Sequence, residues 1–592
     1  MRVADYIMEK LYSEGISHLF MITGRGVLYL SDAAAKLADL HTVSMHHEQA
    51  CAYAAYTYAA YNGGIGACLI TTGCGSTNAI TGTLCAWQDG IPCVFISGQN
   101  TLRETTRFTK LPLRTWGQQE MDIVSVVEPI TKYAVMLDKA EDVAYELEKA
   151  LYLATHGHKG PVWIDVPLDI QNARVEPNEL RHFIPPEDEA LSRQEDIQSV
   201  VEMLNMAKRP ILLIGSGIRS AGAVRELVAF VEKNSIPVAY SASAPDVVAY
   251  SEPLSVGSVG MMACSRSGCF AVQNADLLLV VGNRLSPMTT GPSYQKFARQ
   301  AKTVVVDIDE KEHKKDTVRI DKLILCDAKA FLKEMNQCNI EGDYREWTEK
   351  CRHWKEVFPL CEDTYRQTEK VDLYELAERL SETLPEECVF LCDAGLEELI
   401  LPSNVDFSKG RRCIHPHSQG AMGFALPAAV GAYYASGRPT VAVIGDGSVM
   451  MNLQEFATIS YYKLPVKVII IENNTYSVIR KRQIDLFRTR TVGTDAENGV
   501  PSADFRKVAE CFDISYMEIK ENRNLNDALK SLFASIGPII CQISGLENQD
   551  YIACSVARTS ERRFVQRPLE DQAPFLDRNI FMDEMIVEPI DQ

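Results

Sequence analysis

A chain of 592 residues has room for roughly three to four domains, each with its own core. With 46% hydrophobic and 23% charged residues and a mean hydropathy of -0.10, it has the composition of a soluble globular protein, and no stretch approaches the roughly 20 apolar residues of a membrane span. A net charge of -19 argues against nucleic acid and anionic membrane as partners. The seventeen cysteines lack paired metal-ligand spacing and read as reduced, mostly buried thiols. The start, Met1-Arg2-Val3-Ala4-Asp5-Tyr6, has no signal-peptide apolar core, so the expected location is the cytoplasm.

From the N-terminus, helical patterns alternate with short apolar runs. Helices are predicted at 4–14, 48–62 and 77–89, strands at 18–22, 65–71 and 92–97, and Val162 to Pro167 closes the unit as its last strand. This alternation predicts an α/β unit on a parallel sheet over residues 1–175. The polar segment Glu176 to Asp196, with Pro177, Pro185 and Pro186, predicts a linker. A middle unit over 197–345 carries strands near 211–214, 238–240, 277–281 and 304–308, and a charged helical connector follows at 345–370. A third α/β unit spans 371–545, and 546–592 reads as a tail packed over the body. The predicted fold class is thus α/β, with three doubly wound parallel-sheet domains and a C-terminal tail.

The chemistry-bearing residues fall at strand ends. Gly445-Asp446-Gly447-Ser448 follows the β-branched run 441–444, at the carboxyl end of a parallel strand, where open α/β sheets bind ligands. Gly445 and Gly447 let the backbone approach an anion, Asp446 offers a hard oxygen to a divalent cation, and Ser448 opens a helix predicted over 450–463. A second strand, 467–471, leads into Glu472-Asn473-Asn474, and a right-handed crossover lays it beside the first. Upstream, His47-Glu48-Gln49-Ala50 opens an Ala- and Tyr-rich helix. A Glu there gains about 0.3–1 kcal/mol from the helix dipole alone, so its position by itself is not diagnostic. Residues 71–79, Thr-Thr-Gly-Cys-Gly-Ser-Thr-Asn-Ala, form a glycine-rich strand-to-helix turn.

Gly-Asp-Gly followed one βαβ unit later by Asn-Asn resembles the signature of thiamine-diphosphate enzymes. The order of pyrimidine-binding, middle and diphosphate-binding domains resembles the pyruvate oxidase and acetolactate synthase type over nearly the whole chain. The resemblance implies thiamine diphosphate and a Mg²⁺ ion ligated by Asp446, Asn474 and the carbonyl of Tyr476, with Gly445, Gly447 and Ser448 around the diphosphate and Gly395 offering backbone amides. Residues 420–429 resemble the family's Gly-x-Met-Gly-x-x-Leu-Pro-Ala-Ala, which implies that the Gly420 carbonyl accepts from the cofactor's 4′-amino group and that Met422 wedges beneath it. Glu48 matches the His-Glu-x-Ala glutamate, which binds N1′ of the aminopyrimidine and so promotes removal of the thiazolium C2 proton. The turn at 71–79 resembles the acetolactate synthase Ser-Gly-Pro-Gly-Ala-Thr-Asn, with Gly98 and Gln119 at matching places beside the active site.

Four departures stand out. Glu397-Glu398 lies where members often carry Gln-His against the diphosphate. Ile22-Thr23-Gly24-Arg25 replaces Val-Pro-Gly-Gly, adding the cation Arg25 beside the expected donor site. Arg482 replaces the Trp of a Met-Val-x-Gln-Trp-Gln context and points to a larger or more anionic acceptor. Gly282-Asn283-Arg284-Leu285 resembles the Gly-Ala-Arg-Phe of FAD-containing members, but Met262-Ala263 stands in place of their His-Gly, so a vestigial middle domain is favoured over bound FAD. The implied activity is decarboxylation of a 2-oxo acid, pyruvate first among them, with acyl transfer to a carbonyl acceptor. The alternatives are a simple decarboxylase releasing an aldehyde and a cofactor-binding homologue without turnover. The implied partners are small molecules, in a homodimer or homotetramer that sets Glu48 of one chain against the diphosphate domain of another.

Overall fold

The computed structural model describes residues 1–186 and 193–590, so residues 187–192 of the predicted linker lie outside the described residues. Three six-stranded, all-parallel sheets carry the fold. The first contains β1 (His18–Met21), β2 (His41–Ser44), β3 (Gly66–Ile70), β4 (Cys93–Gln99), β5 (Tyr133–Met136) and β6 (Val162–Pro167), in the order β2-β1-β3-β4-β6-β5. The second contains β7 (Pro210–Ile214), β8 (Val238–Tyr240), β9 (Ser255–Ser258), β10 (Leu277–Val281), β11 (Lys302–Asp307) and β12 (Lys322–Leu325), in the order β12-β11-β10-β7-β8-β9. The third contains β13 (Val389–Cys392), β14 (Arg412–Ile414), β15 (Thr440–Gly445), β16 (Val466–Glu472), β17 (Ser515–Ile519) and β18 (Ile539–Ser544), in the order β14-β13-β15-β16-β18-β17. The first and third sheets therefore repeat one topology. Central strands such as β4 and β10 are buried along their whole length because helices cover both faces, which is why they read as unbroken apolar runs.

The helix Glu48–Asn62 is the spine of the molecule, with eleven of its fifteen residues buried. A helix apolar on every side has to be enclosed, and here the third unit's helix Ala425–Ser436 encloses it. The contact is close enough that a Cβ on Gly431 would lie 2.1 Å from the Ala54 carbonyl oxygen. One apolar cluster consequently spans the first and third units.

Two predicted helices are corrected, and several strands were not foreseen. The helix predicted over 77–89 is two, Cys74–Asn78 and Ile80–Asp89. That predicted over 450–463 is a 3-10 turn, Val449–Met451, then the helix Glu455–Tyr461; Asn452 breaks it because its Nδ2 donates to the Gly423 carbonyl and to Gln49 Oε1, both at 3.0 Å. β6 is the last strand of its unit in the chain, as expected, while the sheet edge belongs to β5, a mostly half-buried Tyr-Ala-Val-Met strand that sequence reasoning did not single out. β9 and β12 were likewise not evident in sequence: one is Ser-Val-Gly-Ser and the other lies at an edge.

The tail forms a short antiparallel hairpin, β19 (Val556–Arg558) with β20 (Phe564–Gln566), and a helix, Arg578–Glu584. Ala553 bridges both Met262 and Ala573, Gln572 Nε2 donates to the Gly260 carbonyl at 2.8 Å, and Arg299 pairs with Glu570 at 2.7 Å, so the tail is fastened chiefly to the middle unit.

Candidate active site

At the carboxyl end of the third sheet, Asp446 follows β15 and its two oxygens accept the backbone N–H groups of Gly447 and Asn474, each at 2.8 Å. Asn474 can reach it because its φ of 58° turns the chain back at the end of β16, a conformation asparagine tolerates better than most residues. Burial is the main reason the Asp446 carboxyl is pushed up to about 6, with the two N–H bonds opposing it. Ser448 ties three loops together: its hydroxyl donates to Asp393 Oδ1 at 3.0 Å and accepts from Gly423 N at 2.9 Å. A Cβ on Gly447 would lie 2.2 Å from the Tyr476 ring, so only glycine leaves this approach open. An exposed Asn474 side chain, a carboxylate and a nearby carbonyl, that of Tyr476, make a donor set of hard oxygens, and they fit a small divalent cation that keeps its other positions for phosphate and water.

The departure at Glu397-Glu398 has a structural meaning. The carboxyl of Glu397 fills the space between Gly395 and Gly445, 2.5 and 2.6 Å from where a Cβ on either would lie. Burial, reinforced by Asp446 and Glu398, pushes Glu397 up to about 8, and Asp393 is also raised by burial. Burial thus favours the uncharged form of Glu397. Glu398 pairs instead with buried His415 at 3.1 Å. Burial disfavours the His415 cation, but the Glu398 hydrogen bond and charge outweigh it and raise the imidazole.

In the first unit, Glu48 opens its helix, is 9% exposed and accepts from Asn78 Nδ2 at 2.9 Å. A Cβ on Gly75 would lie 3.1 Å from Glu48 Oε1, so the glycine-rich turn at 71–79 presses directly on this carboxylate. Arg25 Nη1 donates to Asn100 Oδ1 at 3.3 Å and Gln118 Oε1 at 3.0 Å. Gln119, with φ of 60°, lays its backbone carbonyl against Gly73, while Gly98 packs against the Gly26 carbonyl.

A cavity of about 340 Å³ opens between the two units, lined by His47, Gln49, Tyr53 and Thr81 on one side and by Gly420 and Met422 on the other. Asp446, Asn474, Ser448, Gly395 and Gly445 form one cluster, whereas Glu48 and Arg25 belong to another on the first sheet. Arg482 lies on the helix Ser477–Phe487, exposed, with Nη2 3.9 Å from Met262 Sδ. Sequence reasoning did not single out Asn78, Asn100, Gln118, Asp165 or Asp393. Asn78 carried a signal as the asparagine of the turn at 71–79, and Asp393 carried one as an acidic residue at the end of the apolar run 389–392.

Three parallel α/β sheets, a carboxylate–amide clasp at the end of a parallel strand and a buried helix-opening glutamate define a cofactor-dependent enzyme of the doubly wound class. Residues 1–126 match the N-terminal TPP binding domain of thiamine pyrophosphate enzymes, 197–335 their central domain and 393–543 their C-terminal TPP binding domain. The chain is 30% identical over 547 residues to the acetolactate synthase large subunit of Haemophilus influenzae, covering 90% of this chain and 92% of that one. It is 30% identical over 551 residues to the isozyme 2 large subunit of Escherichia coli K12, covering 92% and 95%. With the large subunit of Lactococcus lactis it is 29% identical over 535 residues, covering 89% and 90%. The chain belongs to the thiamine pyrophosphate enzyme family and is acetolactate synthase-like. Among the described residues no helix is long and apolar enough to cross a membrane.

Proposed function

We propose that this enzyme decarboxylates pyruvate and transfers the acyl unit to a carbonyl acceptor. The observation that carries the reading is the Asp446–Asn474 clasp, set at the ends of adjacent strands β15 and β16 beside glycines too closely packed to accept a side chain. When bound, thiamine diphosphate supplies an electron sink next to the reacting carbonyl carbon. Asp446, Asn474 and the Tyr476 carbonyl would hold Mg²⁺, and Gly445, Gly447, Ser448 and Gly395 would border the diphosphate. Met422, a flexible thioether beside the cavity, suits an irregular apolar contact, and the Gly420 carbonyl lies next to it. Glu48, oriented by Asn78, sets its carboxyl in a water-poor position, where an acid–base residue is needed.

The family resemblance implies a homodimer or homotetramer in which Glu48 of one copy faces the diphosphate domain of another. All seventeen cysteines are free and thirteen are buried, which supports a reducing, cytoplasmic location. A middle unit without FAD is the favoured reading. At the point between β7 and β10 where sheet order reverses, Asn283 Nδ2 donates to the Ile214 carbonyl at 3.0 Å and Ser241 Oγ at 3.1 Å. A Cβ on Gly215 would lie 2.5 Å from the Gly282 oxygen, and Met262 and Ala263 are occupied by the tail. Mass spectrometry of products formed from pyruvate with a panel of aldehydes, ketones and keto-sugars tests the reading. A ligated product supports it, and release of acetaldehyde alone with every acceptor would refute carboligation.

A further inference from the structure

At the mouth of the first sheet, an exposed cation is held by a buried scaffold. The loop Gly24–Gly26 that carries Arg25 is clamped on both sides: Gly26 N donates to Thr71 Oγ1 at 3.1 Å, Gln171 Nε2 donates to the Gly26 carbonyl at 2.7 Å, and Thr72 Oγ1 donates to the Gly98 carbonyl at 3.0 Å. A Cβ on Gly98 would stand 1.9 Å from the Gly26 oxygen, so the loop is pressed onto the end of β4. The guanidinium is then aimed by amides. Nη1 donates to Asn100 Oδ1 and Gln118 Oε1, and Asn100 Nδ2 donates in turn to the Gln118 carbonyl at 2.9 Å. Asn100 is 3% exposed and its N–H donates to Gln99 Oε1 at 3.1 Å; Gln99, itself buried, donates from Nε2 to the Met121 carbonyl and to Asp165.

Two features separate this arginine from an ordinary surface residue. Its partners are neutral, and among the described residues no carboxylate pairs with it, so its charge is not cancelled. Only Nη1 is spent, which leaves Nε and Nη2 without a partner among the described residues, the edge that binds planar anions in a forked geometry. The loop also shares Thr71 with the catalytic side: Thr71 meets Gly24 and Gly26 on one flank and Gly75 on the other, and Gly75 faces Glu48.

Which anion it serves follows from the chemistry. An ion pair to a carboxylate that leaves as CO₂ stabilises the ground state more than the transition state, because the charge it binds is being dispersed. A fixed cation accelerates the reaction only if it holds an anion that survives. We propose that Arg25, aimed by the positioning residues Asn100 and Gln118, binds the carboxylate or phosphate of an anionic acyl acceptor. This rests on the carboligase reading above.

The test compares Arg25→Met, Asn100→Ala and Gln118→Ala with the parent, using pyruvate as donor, 2-oxobutyrate as anionic acceptor and acetaldehyde as neutral acceptor, and recording pyruvate consumed and each ligated product. Calorimetric titration with thiamine diphosphate and Mg²⁺ checks that each variant retains its fold. Arg25→Met should lower kcat/KM for the 2-oxobutyrate product about 10- to 100-fold, the range of a charged hydrogen bond, with acetaldehyde ligation, and the pyruvate consumed in that ligation, unchanged. The amide variants should shift the same ratio in the same direction by less. Equal losses with both acceptors, a fall in the pyruvate consumed with acetaldehyde, or an unchanged ratio in Arg25→Met overturns the assignment. A parent that binds the cofactor yet consumes no pyruvate would instead overturn the reading on which it rests.

Discussion

Asp165 offers a quantitative check on the buried scaffold. It lies on β6, 1% exposed, accepting from Ser97 Oγ at 2.6 Å and Gln99 Nε2 at 3.1 Å, with Trp163 Nε1 donating to the same serine at 2.8 Å. Burial pushes its carboxyl from 3.8 to about 7, and the two hydrogen bonds only partly oppose this. Between those values the unfolded chain is ionised while the folded chain keeps its proton, so folding takes up a proton and stability falls as pH rises. The contribution is complete below about 3.8 and is lost as pH climbs through about 7, at about 1.4 kcal/mol per pH unit. Asp165→Asn reproduces the neutral acid: its amide donates to Ser97 and its carbonyl accepts from Gln99. The variant should therefore gain on the parent by about 3 kcal/mol between pH 4.5 and pH 8. Urea midpoints of both proteins across that range, with hydrogen exchange read at β4 and β6 to isolate this unit, measure the difference. Other titrating groups cancel in the comparison. A parent-to-variant difference that stays constant with pH would refute the neutral, buried acid.

The remaining predictions concern the reaction. Glu48→Gln should retain cofactor affinity but lose at least about 10²-fold in turnover, because an amide cannot pass a proton; near-normal steady-state rates would remove Glu48 from the mechanism. Asp446→Ala and Asn474→Ala should each abolish Mg²⁺-dependent binding of thiamine diphosphate. Calorimetry decides this, and unchanged affinity, or parent binding indifferent to chelator, would break the metal assignment. Arg482→Trp should weaken use of an anionic or heavily hydroxylated acceptor by about 1.5–3 kcal/mol while pyruvate consumption persists; equal loss of donor consumption and ligated product would show that Arg482 does not select the acceptor.

Local physics wrote much of this molecule plainly. Glu48–Asn62, Val238–Tyr240 and Leu277–Val281 begin and end where their patterns predict, since helices enclosed on all sides and strands buried on both faces leave continuous apolar runs. Gly445-Asp446-Gly447 and Asn473-Asn474 could likewise be placed at strand ends, because strand-to-helix turns need glycine and short polar residues there. What tertiary structure alone decided are the contacts between segments far apart in the chain. Asn100 and Gln118 meet Arg25 across 75 and 93 residues, Asp165 meets Ser97 across 68, and the tail reaches Met262 from Ala553. Amides in loops have no periodicity, and an acid inside an apolar strand looks like any strand residue, so their partners emerge only when the sheet brings them together. Glu397 makes the same point: in sequence it stands where a diphosphate ligand is often found, and only the closeness of Gly395 and Gly445 reveals a buried acid whose carboxyl is raised by burial.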